Sequence, residues 1–120
     1  MLTIRSAQFA AFENSLFDQF IENLTDHVET RWIAFAGAVG GRQEVQVLVR
    51  ASVARARALG FRMRSHFYTW VDWECEFGPA FHEKEEWGWC KAILNNGLDP
   101  AIRVYRIENR LRILRGKGLL

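Results

Sequence analysis

Three histidines, His27, His66 and His82, and two cysteines, Cys75 and Cys90, are the side chains best suited to ligate a metal. Structural zinc sites draw their ligands in close pairs. Here Cys75 and His82 are seven residues apart, His82 and Cys90 eight, and no CxxC or HxxxH pair occurs. No metal site and no cofactor are therefore expected, and both cysteines read as small interior side chains in a reducing compartment. Asp72 and Glu76 stand four residues apart, on one face of a helix, where a carboxylate pair could do acid–base work. Such chemistry also needs a cleft and shifted pKa values. Pairing of both acids with arginines of a neighbouring helix is the simpler expectation, and a helical enzyme stays as an alternative of a different class. Neither a GxSxG elbow nor a GxxxxGK[ST] phosphate loop is present, so no catalytic residue is assigned.

Charge is ordered along the chain. Residues 6–29 carry five acids and no base, and residues 42–64 carry six arginines and Glu44. Residues 66–86 then hold six acids and Lys84, and residues 101–120 hold five arginines, Lys117 and Glu108. The blocks alternate −5, +5, −5, +5 under a net charge of only +2. Acids this dense argue against a nucleic-acid partner, which calls for a larger basic excess kept clear of carboxylates. Oppositely charged helices lying side by side, with arginine forks bridging carboxylates, account for the pattern. A block that fails to meet its opposite would be a surface for a partner.

Five tryptophans are many for 120 residues. Trp32, Trp70, Trp73, Trp87 and Trp89 are too bulky all to be fully interior, and each indole N–H needs an acceptor. Trp87 and Trp89, two apart, should point to different sides of a helix and leave one ring exposed near Glu83, Glu85 and Glu86. Aromatic rings among charges are typical of protein interfaces. The expected partner-binding residues are accordingly Trp70, Asp72, Trp73, Glu76, Glu83, Glu85, Glu86, Trp87 and Trp89.

The elements that position these groups are helical. An apolar stripe of Phe9, Phe12, Leu16, Phe20, Leu24 and Val28 predicts a first helix over about residues 6–29, with Ser6 as N-cap. Gly37, Gly40 and Gly41 predict a non-helical connection. A second helix over about residues 43–59 turns Val45, Leu48, Val49, Val53, Ala56 and Leu59 inward and ends at Gly60. The third, about residues 66–77, capped by Ser65 and stopped by Gly78-Pro79, is apolar on nearly every side and should lie centrally. A fourth covers about residues 84–95 and stops at Asn96-Gly97. Asp99-Pro100 opens the last, with Ile102, Ile107, Leu111 and Leu114 inward. The reading is all-α: a single compact bundle of about five helices forming one domain, residues 1–120. The longest uncharged stretch, residues 32–41, is too short for a membrane span, which needs about 20 residues. The N-terminal sequence lacks a secretory layout, so a cytoplasmic location is expected.

Several of these segments together resemble a known group. They are Ile4-x-x-x-Gln8 before the first helix, Arg55-Ala56-Arg57-Ala58-Leu59-Gly60-Phe61, Phe77-Gly78-Pro79-x-Phe81, Trp87, Ile93-Leu94, and residues 100–112. The group comprises small all-helical bacterial accessory proteins encoded beside spike, PAAR-type and effector genes of type VI secretion systems. The resemblance implies a non-enzymatic, protein-binding role: an adaptor or chaperone for an effector or spike component, or alternatively an immunity protein that neutralises a toxin. The group supplies no catalytic residues to carry over. Cys75 and the Trp70/Trp73 pair exceed its pattern and mark a partner-specific surface. The partner expected is a protein, an effector, toxin or spike protein, and homo-oligomerisation stays open.

Overall fold

The computed structural model describes the backbone of residues 2–120 and the side chains of residues 13–120. Six α-helices, and no strand among the described residues, make the chain all-helical. They are α1 (Leu2–Arg31), α2 (Ile33–Val39), α3 (Arg42–Ala58), α4 (Arg64–Phe77), α5 (Gly88–Leu94) and α6 (Pro100–Gly116), with single 3-10 turns at Phe81–Glu83 and Glu85–Trp87. The chain divides into two compact units, Met1–Ala51 and Ser52–Leu120.

The first unit is built on the buried stripe Phe20, Ile21, Leu24, Thr25 and Val28 of α1, with Ala36, Val45 and Val49. Thr25 is polar, but its hydroxyl donates to the Ile21 carbonyl at 2.7 Å, so its burial leaves no donor unsatisfied. Leu16 is 52% exposed, so among the described side chains the inward stripe begins at Phe20. The Phe9 and Phe12 side chains lie outside the described residues. Helical backbone already begins at Leu2, ahead of Ser6, whose side chain also lies outside the described residues. The predicted connection is also helical: alanines at 34, 36 and 38 favour helix strongly enough to offset Gly37. α2 ends in a Schellman motif, in which Gly40 at φ 110° lets the Gly41 N–H reach the Ala36 carbonyl.

The second unit is organised by α4. His66, Phe67, Trp70, Val71, Trp73 and Glu74 are all buried along it, as expected for a helix apolar on most sides. Trp70, 1% exposed, has the rings of Phe61, Trp73, Phe81 and His82 within 5.2–6.1 Å of its own. Ser65 does not cap this helix; Met63 occupies that position with no side-chain cap, and its carbonyl accepts from His66 and Phe67. Gly60 ends α3 as predicted, at φ 95° in a second Schellman motif, with Phe61 N–H bonded to Ala56 O. Phe61 and Ala56 are both fully buried, which supplies the apolar contact this motif usually brings.

The expected fourth helix is shorter. Residues 85–87 form a 3-10 turn, and α5 starts only at Gly88. Trp87 therefore closes a turn rather than sitting inside a helix, and its ring comes to 5.6 Å from that of Trp89 instead of pointing away from it. Asp99 does cap α6: its Oδ1 accepts from Ala101 N at 3.0 Å, and Pro100 follows where its missing N–H is harmless. Ile107 and Leu111 point inward as predicted, but Ile102 is 44% exposed and Arg103 is buried in its place. Among the described residues, no helix is long and apolar enough to cross a membrane.

Candidate functional site

The charge blocks can be followed to their partners. In the first unit Arg42 donates to Glu22, Asp26 and Glu29, Gln46 donates to Glu22 at 2.7 Å, and Arg50 to Asp18 at 3.2 Å. Higher numbers on α3 meet lower numbers on α1, an antiparallel ladder at helical spacing. The Arg42 and Gln46 hydrogen bonds hold the Glu22 carboxyl below its ordinary range, and the three carboxylates raise the Arg42 guanidinium above its own. In the second unit Arg55 forks onto buried Glu74, with Nε at 2.7 Å and Nη2 at 2.5 Å. Arg62 donates to the carbonyls of Arg57 and Phe61. Each of the first three blocks is ion-paired at half or more of its majority-sign residues, with Glu85 and Glu86 of the third left out.

The fourth is not. Arg115 donates to Glu76 at 2.6 Å, the one ion pair to a carboxylate that the 101–120 block makes among the described residues. Arg103 turns inward and donates to the Leu59 and Leu94 carbonyls at 2.7 and 2.8 Å. Arg110 lies over the Trp89 ring, 5.6 Å from its centre, and Arg112 donates to Asn109. Arg106 and Lys117 have no partner among the described residues. Glu108 is the block's only acid, and its Oε1 accepts from Trp73 Nε1 at 3.1 Å.

The inward stripe of α6, Arg103, Ile107 and Leu111, fixes the opposite face. Ile102, Tyr105, Arg106, Asn109, Arg112 and Ile113 follow one another there at helical spacing. Tyr105 is 70% exposed, and Ile113, like Ile102, is exposed as well. Beside this face an open groove of about 360 Å³ is lined by Tyr105, Glu108, Asn109, Arg112 and Arg115. The result is a ridge of aromatic and aliphatic side chains between arginines.

The residues expected to bind a partner are dispersed by comparison. Trp70, Trp73 and Trp87 are core residues and offer no outer surface; Trp89 is half-buried beneath Arg110. Glu76 is held by Arg115, and Glu83 by Lys91 at 2.7 Å, which keeps its carboxyl below the ordinary range. Asp72 is half-buried and engaged, and neither it nor Glu76 lines the α6 groove. Glu85 and Glu86 are exposed and unpaired among the described residues. Those residues also contain no group of three or more His, Cys, Asp or Glu side chains placed to hold a metal ion.

No protein-family model, curated protein or solved structure matches the chain. The face of α6 escaped the sequence reading because that reading turns Ile102 inward with Ile107, Leu111 and Leu114. The signal was the spacing 103, 107, 111, which places 102, 105, 109, 112 and 113 on the other side.

Proposed function

We propose that the chain is a non-enzymatic protein-binding module that engages its partner through the exposed face of α6. One observation carries this reading: Arg106, Arg110 and Arg112 lack carboxylate partners among the described residues, Arg106 and Arg112 on the face that exposes Ile102, Tyr105 and Ile113 and Arg110 at its edge over Trp89. Tyr and Arg, with Trp, are enriched at the energetic centre of protein interfaces. Arginines left without acids within the fold favour an acidic surface on the partner. That the partner is a type VI secretion effector or spike component, with this chain as adaptor or chaperone, rests on the sequence resemblance alone.

Co-purification of the tagged chain with the product of its neighbouring effector or spike gene, followed by size-exclusion chromatography, tests the reading. A co-eluting complex is expected, and absence of any complex with those products overturns it. The unpaired Glu85 and Glu86 favour a second reading, an immunity protein that places these acids in a basic cleft of a toxin. Co-expression should then rescue cells from that toxin, with rescue lost in Glu85→Lys/Glu86→Lys.

A further inference from the structure

We infer that the α6 face receives an acidic amphipathic helix of the partner protein. This rests on the protein-binding reading above and names the partner's chemistry. The exposed residues from Ile102 to Ile113 form a straight ridge about 16 Å long, at the 1.5 Å rise of a helix. Its contacts recur every three or four residues, matching the i, i+3, i+4, i+7 anchors of a second helix laid along it. An extended segment finds no comparable purchase, since the α6 backbone groups are spent inside the helix and offer no edge to pair with.

Charge fixes the partner's sign and where its acids sit. On one flank Arg106 and Arg110 stand four residues apart, neither in an ion pair among the described residues and Arg110 lying over the Trp89 ring, so carboxylates at the same spacing on a partner helix meet both. On the other flank Glu108 sits one turn before Arg112 and is held in place by the Trp73 N–H. A nucleic-acid strand, charged at every phosphate, would bring anions against Glu108. A helix can carry its acids toward Arg106, Arg110 and Arg112 and its apolar residues toward Ile102, Tyr105 and Ile113.

The test uses the full chain and a fluorescein-labelled synthetic helix with a leucine stripe and glutamates four residues apart beside it. The probes for comparison are a scrambled peptide of the same composition and a single-stranded oligodeoxynucleotide. Fluorescence anisotropy should show binding of the amphipathic peptide that weakens with salt. Arg106→Glu/Arg110→Glu and, separately, Tyr105→Ala should each weaken it by about tenfold or more with circular dichroism unchanged. No binding to the parent chain, equal binding of the scrambled peptide or oligonucleotide, or unchanged affinity in the charge-reversed variant overturns the inference. The same variants tested in the co-purification separate the two ideas. A neighbouring gene product held equally well by the parent chain and by Arg106→Glu/Arg110→Glu removes the α6 helix site but keeps the binding module. A parent chain that holds none removes the module itself.

Discussion

Arg55 and Glu74 are joined through both ends of the guanidinium fork, at 2.7 and 2.5 Å, with Glu74 only 4% exposed. The same carboxylate also accepts from Ala80 N at 3.2 Å, which ties down the turn where Ala80 takes a left-handed φ of 54°. Removing Arg55 would strand a buried carboxylate, whereas removing Glu74 frees a half-exposed guanidinium to reach water. Arg55→Ala should therefore cost about 3 kcal/mol of stability, and Glu74→Gln, which keeps the shape and one acceptor, about 2 kcal/mol. Urea unfolding midpoints of the two variants check this order.

Arg103 serves the ends of two helices. Its Nη1 donates to Leu59 O, just past α3, and to Leu94 O, the last residue of α5, while its guanidinium lies 5.1 Å from the Phe61 ring centre. A cation at two helix C-termini satisfies carbonyls that have no intrahelical donor and complements both helix dipoles. Arg103→Met keeps the apolar stem but orphans both carbonyls, and should destabilise the chain by about 3 kcal/mol. Thermal melts should place Arg103→Lys between the parent and Arg103→Met.

Burial lowers the His82 pKa from 6.5, more than neighbouring Glu83 and Glu74 raise it, and Lys91 and Arg55 lower it further. The folded chain thus holds this imidazole neutral at pH values where the unfolded chain protonates it. Its contribution to stability is full above pH 6.5 and is lost as pH falls from there toward the folded pKa. The slope it adds is at most about 1.4 kcal/mol per pH unit. The lowered carboxyls of Glu22 and Glu83 titrate below 4.5 and leave this window to the histidine. Melting temperatures between pH 7 and 5 should fall less steeply for His82→Phe than for the parent.

Desolvation pushes the Cys90 thiol up to about 12, and burial together with the charges of Asp72 and Glu74 does the same to Cys75. Reactivity follows the thiolate, so both should resist iodoacetamide at pH 8 in the native state and react readily in denaturant. Mass spectrometry of alkylated peptides distinguishes the two states. Alkylation of either cysteine in the folded chain at the unfolded rate would contradict the burial.

What the sequence made legible were local signals with a single physical meaning. Asp99-Pro100, Gly60 and the Val45, Val49, Val53 stripe each specify one backbone conformation or one inward face, and each is found as read. Residues whose role depends on long-range partners were not legible. Arg103 looks like any surface arginine until its two carbonyl acceptors, 44 and 9 residues away in sequence, are brought to it. As read, the five tryptophans are not all interior, Trp32 and Trp89 being half-buried, but that the core takes Trp70, Trp73 and Trp87 was not legible. α4 is lined with rings that accommodate all three, and Glu108 satisfies the Trp73 N–H.

The hydrogen bond from Trp73 to Glu108 links an interior ring to the electrical character of the outside. Glu108 precedes Arg112 by one helical turn and would be the natural acid to neutralise it, yet its carboxylate is turned toward the indole. A Trp73→Phe exchange, aromatic for aromatic and invisible from solvent, would release Glu108 to its arginine neighbour and dim the positive field of α6. Charge tuning of this surface can therefore arise from substitutions in the core, and a search confined to exposed positions would overlook them.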